Sequence, residues 1–132
     1  MNYFKVDGKS YDGLVTEIEE TWNILYSDNT GRSLNPGARM VLDPLGTFYG
    51  HKVTVARKQG HEKEYDELYD YIAKPRYNGV MLEAAHNQKT ITYEAYASNG
   101  GRPLNTITKK NVVKWGRFVI NFVPMEAQVL PE

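Results

Sequence analysis

The chain has 132 residues and no cysteine, and its 16 basic and 16 acidic residues give a formal net charge of zero. This length suffices for one domain with its own hydrophobic core. The lack of cysteine excludes disulfides, thiolate metal sites and cysteine nucleophiles. The balanced charge argues against a general polyanion binder, although it leaves room for a local basic patch.

The sequence also predicts a protein that is made in the cytoplasm and does not enter a membrane. No apolar run approaches the roughly 18 residues that a membrane span requires. Residues 1–7 lack the basic region and apolar core of a signal peptide. The absence of cysteine suits a reducing compartment.

Two strand signals open the chain. Asp7-Gly8 separates residues 3–6 from residues 9–11 and predicts a tight hairpin. Residues 15–26 then alternate with period two, which predicts a long strand with one buried face. The residues expected on that buried face are Ile18, Trp22, Ile24 and Tyr26.

A polar loop and a second long strand come next. Residues 27–37 are rich in turn formers, and residues 38–42 predict a short strand. The turn residues at 43–46 are expected to end it. The following strand is therefore predicted over residues 47–57, where apolar and polar side chains alternate again.

The pattern changes to a helical period over residues 61–74, the one helix that the sequence predicts. Acidic residues are concentrated in its first turns, where they favour the helix dipole. Pro75 is expected to end the helix. The apolar face, at i, i+3, i+4 and i+7 spacing, consists of Tyr65, Leu68, Tyr69 and Ile72.

Strands return after the helix. Residues 79–83 and 90–97 are predicted to pair around a turn at residues 86–88, and residues 98–105 form a loop. The longest apolar strand is predicted at residues 112–123. The face expected to be buried carries Phe118, Ile120 and Phe122.

The order of these elements predicts the fold class. Strands follow one another with a single helix inserted, and an extended, partly mobile tail occupies residues 125–132. This order predicts one mainly β domain over residues 1–132, an antiparallel β-sandwich or barrel with one flanking α-helix (α+β).

A seven-residue pattern, Asn-x-Gly-Arg-x-Leu-Asn, occurs at residues 29–35 and again at residues 99–105. Either the match is a coincidence of common loop residues, or the domain carries two similar loops. In the second case the glycine suits a turn with positive φ, the leucine pins the loop to the body and the arginine projects. Arg32 and Arg102 would then contact carboxylates of a neighbouring subunit, and reversing their charges should weaken assembly.

No motif indicates catalysis, a cofactor or a metal. None of the three histidines has a second histidine or a carboxylate at metal-binding spacing, so solvent-facing or helix-capping roles are predicted for His51, His61 and His86. Phosphate-binding loops and nucleophile elbows are also absent from the sequence. The chain is predicted not to be an enzyme and to need no cofactor.

Residues 102–117 form a basic stretch that has two interpretations. It holds five basic residues, no acid and one tryptophan, as in proteins that bind single-stranded nucleic acid. It also complements the acidic helix, and we favour contacts between the helix of one subunit and the basic stretch of the next. The candidate contact residues are Arg32, Arg102, Lys109, Lys110, Lys114, Trp115, Arg117, Glu62, Asp66 and Asp70.

Several short motifs follow one another along the chain: Asp7-Gly8-Lys9-Ser10-Tyr11, Gly31-Arg32-Ser33-Leu34 and Leu45-Gly46-Thr47-Phe48-Tyr49. A helix with Tyr65 and Tyr69 and a closing strand at residues 118–124 come after them. In this order they resemble small tail proteins of phages and prophages of Gram-positive bacteria, which often have a Gly-Lys-x-Tyr turn, a Gly-Arg-x-Leu loop and a strand that starts with Leu-Gly-Thr-Tyr/Phe-Tyr.

This resemblance implies a non-enzymatic structural protein of the virion, in the tail or its distal baseplate. It implies a β-sandwich-plus-helix fold related to tail tube proteins. It also implies rings, often hexameric, that the chain forms with itself and with other tail proteins. The alternative is a small β-barrel that binds single-stranded nucleic acid, the less favoured partner.

Overall fold

The computed structural model describes residues 3–132, and they form a mainly β fold with one α-helix. Asp7 and Gly8 have the positive φ angles expected of the predicted hairpin turn. The helix α1 spans Glu62–Ala73, close to its predicted bounds. The strands are β1 (Phe4–Val6), β2 (Lys9–Ser10), β3 (Val15–Tyr26), β4 (Gly31–Arg32), β5 (Met40–Val41), β6 (Pro44–Val55), β7 (Val80–His86), β8 (Lys89–Tyr96), β9 (Leu104–Ile107), β10 (Val113–Trp115) and β11 (Phe118–Pro124).

Seven strands form one antiparallel sheet in the order β2-β1-β7-β8-β11-β6-β3. The sheet folds over at β11, which pairs with β6 along residues 118–122 but with β8 only at Val123 and Pro124. Its two halves face each other across the core, where the ring centroids of Phe4 and Phe122 lie 5.9 Å apart. The sheet does not close, so the predicted sandwich describes it and the barrel does not.

The core is one cluster between the two halves of the sheet and α1. Phe118, Ile120 and Phe122 are buried, as the alternation of the last strand predicted. Tyr65 and Leu68 are fully buried, and the predicted apolar face of α1 packs against Phe118. Burial of a side chain such as Leu68 contributes about 2 kcal/mol to stability.

Two predicted strand boundaries are wrong. The strand predicted over residues 112–123 is divided into β10 and β11 at Gly116, which is buried against Pro103 and Asn105; a Cβ there would lie 2.8 Å from the Pro103 Cγ. In the turn predicted at residues 43–46, residues 44–46 are already part of β6. Pro44 is tolerated because it is the first residue of the strand.

Within residues 3–132, no helix is both long and apolar enough to span a bilayer.

Candidate assembly surface

Strands β3 and β6 pair with each other and extend beyond the other strands of the sheet. The two strands pair from Val15 to Tyr26, whereas β11 covers β6 only from His51 to Val55. We call residues 21–50, which continue beyond that coverage, the arm, and the preceding residues 15–20 of β3 the root. At the rise of a β-strand, the six β3 residues in the arm extend about 20 Å.

The arm exposes large apolar side chains. Trp22 is 69% exposed, although the alternation of β3 predicted it to be buried with Ile18. Ile18 does pack against the core, but Trp22 lies beyond the part of β6 that β11 covers, so the same face of the strand meets solvent. The prediction for Trp22 is therefore wrong. Further exposed apolar residues of the arm are Leu25, Tyr26, Leu34, Met40, Val41, Leu42 and Leu45.

The outer edge of β3 changes character between root and arm. Among residues 3–132 no strand pairs with this edge. In the root, Glu17, Glu19 and Glu20 place charges along it, a common protection against unwanted strand pairing. Residues 21–26 carry no charge. An unprotected edge with exposed apolar side chains is typical of a protein contact surface.

The tip of the arm is organised by its own hydrogen bonds. β4 pairs with β5, and the Thr30 hydroxyl accepts a hydrogen bond from the Asp43 N–H at 2.9 Å. The Ser27 hydroxyl donates to the Asp43 carboxylate. Leu34, which was predicted to pin this loop to the body, is fully exposed, so that prediction is wrong.

The C-terminal segment lies against the arm. The Thr47 N–H donates to the Val129 carbonyl at 2.9 Å, and the Gln128 side-chain amide forms two 3.0 Å hydrogen bonds with the backbone of Tyr49. Gly46 permits this approach, because a Cβ there would lie 2.5 Å from that of Ala127. The tail predicted over residues 125–132 therefore supports one side of β6.

Arg102 lies inward, although it was predicted to project. Its guanidinium is 3.9 Å from the ring centroid of Tyr69 and 4.5 Å from that of Trp115, and it donates to the Asp66 carboxylate at 3.0 Å. Tyr65 completes this arginine cage at 5.3 Å. The Arg102 side chain is only 12% exposed. The cage therefore pairs an acid of α1 with a base of the basic stretch inside one chain, whereas we expected such pairs between subunits.

The other candidate contact residues lie on separate surfaces. Arg32 is exposed on the arm and donates to the Ala38 carbonyl at 3.3 Å. Glu62 accepts a hydrogen bond from the Gly60 N–H, and Asp70 is exposed on α1. The exposed basic residues around β9 and β10 form no ion pair within residues 3–132; they are Lys109, Lys110, Lys114 and Arg117.

The prediction of solvent-facing or capping histidines is wrong for His51, which is fully buried. Its Nε2 lies 3.1 Å from both the Glu20 carboxylate and the Ala85 carbonyl, so Nε2 carries the proton and Nδ1 accepts from the Tyr93 hydroxyl at 2.7 Å. Burial lowers the pKa of His51 and raises that of Tyr93. His86 Nδ1 contacts the same Glu20 carboxylate at 2.6 Å.

This histidine network joins the root of β3 to β7 and β8. Its members are far apart in sequence, so no local spacing could have identified them. The one signal was parity: Glu20 shares the inward face of β3 with Ile18 and Trp22. His61 occupies the N-cap position of α1, but its side chain makes no capping hydrogen bond.

In the part of the chain that the structure describes, no group of three or more histidine or acidic side chains is arranged to hold a metal ion. The chain matches no protein-family model and no curated protein sequence.

Proposed function

We propose that this protein is a non-enzymatic structural component of a phage tail or baseplate that assembles into rings with itself and with other tail proteins. The observation that carries the proposal is the arm, a two-stranded projection with eight exposed apolar side chains, Trp22 among them. The resemblance of the short sequence motifs to phage tail proteins supports the assignment of this assembly to a phage tail or baseplate.

The arm supports assembly for a physical reason. Large apolar side chains in water are unfavourable, and an extended patch of them is usually covered by another protein. Trp22 and Leu25 lie on opposite faces of β3, because successive residues of a strand alternate. A partner that covers both must enclose the arm or receive it between two subunits, as neighbouring members of a ring can do.

The test compares the arm with an exposed aromatic elsewhere. We expect the wild-type chain to form a ring-sized species in size-exclusion chromatography with light scattering, and rings in negative-stain images. The double substitution Trp22→Ser with Leu25→Ser should reduce the mass to that of a monomer. Tyr77→Ser is the matched control, because Tyr77 is fully exposed but lies between α1 and β7.

Two outcomes would count against the proposal. A wild-type chain that stays monomeric at every concentration, alone and when expressed with the other proteins of its gene neighbourhood, would contradict ring assembly. An assembly that survives both arm substitutions would remove the arm from the interface. Circular dichroism of each variant checks that the fold is retained.

Nucleic-acid binding has less support. Trp115 is partly buried against the core, and the Arg102 guanidinium packs on its ring at 4.5 Å, so the indole does not offer a free platform for a base. The sheet is also open, whereas the alternative required a barrel. A salt-dependent shift of a labelled oligonucleotide that Lys109→Glu with Lys110→Glu abolishes would favour this alternative.

A further inference from the structure

Opposite charges are segregated on an exposed strand edge and on a separate hairpin of a chain with no net charge. The root of β3 carries three acids and no base, and its outer edge has no strand partner within the described residues. The hairpin of β9 and β10, residues 104–115, carries three lysines and no acid. We call the second element the basic hairpin.

The acids of the root are available to a partner. Glu17 and Glu19 are exposed and take part in no ion pair or side-chain hydrogen bond within residues 3–132. Lys52 lies opposite Glu19 in the register of β3 and β6, yet its ammonium is not within ion-pair distance. Glu20 alone is engaged, by His51 and His86.

The helix acids are less available, which changes the acidic partner expected from the sequence. Asp66 is paired with Arg102 at 3.0 Å, and Glu67 with Lys9 at 2.5 Å. Glu64 faces His61 at 3.5 Å. The acidic face of α1 is thus largely used within the chain, whereas the acidic edge of β3 is not.

The basic hairpin is shaped to add to a strand edge. It is a separate two-stranded sheet, so each of its strands has one edge without a strand partner in the described chain. Lys109 and Lys110 lie in the turn between β9 and β10, next to the exposed Ile107, Val112 and Val113. Two such edges complete each other's backbone hydrogen bonds when they pair.

The two elements also lie at the same end of the sheet. The basic hairpin ends three residues before Phe118, which pairs with Val55, and Val55 pairs with Val15 at the start of β3. Copies placed side by side therefore bring the hairpin of one to the level of the root of the next. Such a heterologous contact repeats around a ring when the rotation closes.

We propose that the basic hairpin of one copy pairs with the outer edge of the β3 root of the next copy, Lys109 and Lys110 facing Glu17 and Glu19. The proposal rests on the ring assembly proposed above and identifies a surface on each side of the ring contact. This contact is separate from the arm, and the ring requires both: a neighbouring subunit covers the arm, and the hairpin pairs with the root.

The test is a charge exchange. One variant carries Glu17→Lys and Glu19→Lys, and the other carries Lys109→Glu and Lys110→Glu. Each alone should raise the concentration required for assembly at least about tenfold, because like charges then face each other. An equimolar mixture should recover assembly, since every contact in an alternating ring pairs opposite charges.

Matched controls change the same net charge at exposed positions outside the contact: Glu126→Lys with Glu132→Lys, and Lys58→Glu with Lys74→Glu. They should assemble as the wild type does. The milder variants Glu17→Gln with Glu19→Gln, and Lys109→Gln with Lys110→Gln, should show a smaller loss that high salt reproduces in the wild type.

The outcomes separate the two proposals. If the wild type assembles and the charge variants assemble equally well, or if mixing restores nothing, this contact is wrong and ring assembly stands. A wild type that never assembles contradicts both. If Lys109→Glu with Lys110→Glu abolishes binding of a labelled single-stranded oligonucleotide but leaves assembly unchanged, the hairpin is a nucleic-acid surface and the contact is again wrong.

Discussion

The loops around Arg32 and Arg102 share the pattern Asn-x-Gly-Arg-x-Leu-Asn but give their arginines opposite surroundings. Arg32 lies in β4 on the arm, where its only side-chain hydrogen bond within residues 3–132 is to the Ala38 carbonyl. Arg102 lies outside any strand and packs on Tyr69 and Trp115. Neither Gly31 nor Gly101 has the positive φ predicted for it.

The difference shows that the pattern encodes neither a shared backbone conformation nor a shared role. An arginine loop beside a helix that presents Tyr65, Tyr69 and Asp66 becomes part of the body. The same pattern on an arm without a neighbouring helix stays in water. We therefore expect Arg102 to stabilise the fold and Arg32 to be the arginine that affects assembly.

The largest effect is expected from removing the cage arginine. Arg102→Ala should lower the free energy of unfolding by about 2–3 kcal/mol, because it removes cation–π contacts in a site that water barely reaches. Arg32→Ala should change it by less than about 0.5 kcal/mol. Urea unfolding of both variants measures this contrast, and equal losses would remove the distinction between the loops.

A smaller effect should come from keeping the charge but changing its shape. Arg102→Lys should cost about 1 kcal/mol, since an ammonium cannot stack its plane on several rings while pairing with a carboxylate. Arg32→Lys is the matched control and should be neutral. If Arg102→Lys is also neutral in urea unfolding, charge alone holds the loop and the rings contribute little.

Removing the carboxylate of the cage should matter less. The Asp66 side chain is 59% exposed, and exposed ion pairs contribute about 0.2–1 kcal/mol. Asp66→Asn should therefore cost no more than this, and the loss should shrink in high salt. Asp70→Asn is the control, because Asp70 lies on the same helix and forms no ion pair within residues 3–132. A loss as large as that of Arg102→Ala would show that the ion pair dominates the cage.

The smallest effect is expected from pH on the difference in stability between the wild type and Arg102→Ala. Burial lowers the pKa of His51, so below the ordinary value of about 6.5 the unfolded chain binds a proton that the folded chain does not. Stability is thus lost as pH falls from there, in the wild type and in Arg102→Ala alike. Their difference in thermal midpoint should stay constant between pH 5 and pH 8. A difference that changes with pH would couple the cage to a titrating group.

Local signals predicted most of the elements but not what covers them. The Asp7-Gly8 turn, the apolar face of α1 and the parity of Phe118, Ile120 and Phe122 were each visible within a few residues. The same parity argument was wrong for Trp22. Alternation identifies a strand, whereas burial depends on which distant strand lies alongside it.

The candidate surface was predicted only in part. Lys109, Lys110 and Lys114 were identified as contact candidates and are exposed, and their role in assembly stays a prediction. The break at Gly116, which separates the basic hairpin from β11, was not predicted because it arises from contact with Pro103 and Asn105. No local pattern in the sequence could show that Glu17 and Glu19 of β3 stay unpaired within residues 3–132 while most acids of α1 are engaged.

The sequence by itself determined the fold class, the long hairpin strands and the one amphipathic helix, because period, turn residues and proline act over a few positions. Only the tertiary structure decided that β3 and β6 continue past the other strands as an arm, that Arg102 turns inward and that His51 is buried with Glu20 and Tyr93. These features depend on where strands end relative to partners far away in sequence. Packing between distant segments, which no local pattern records, sets that geometry.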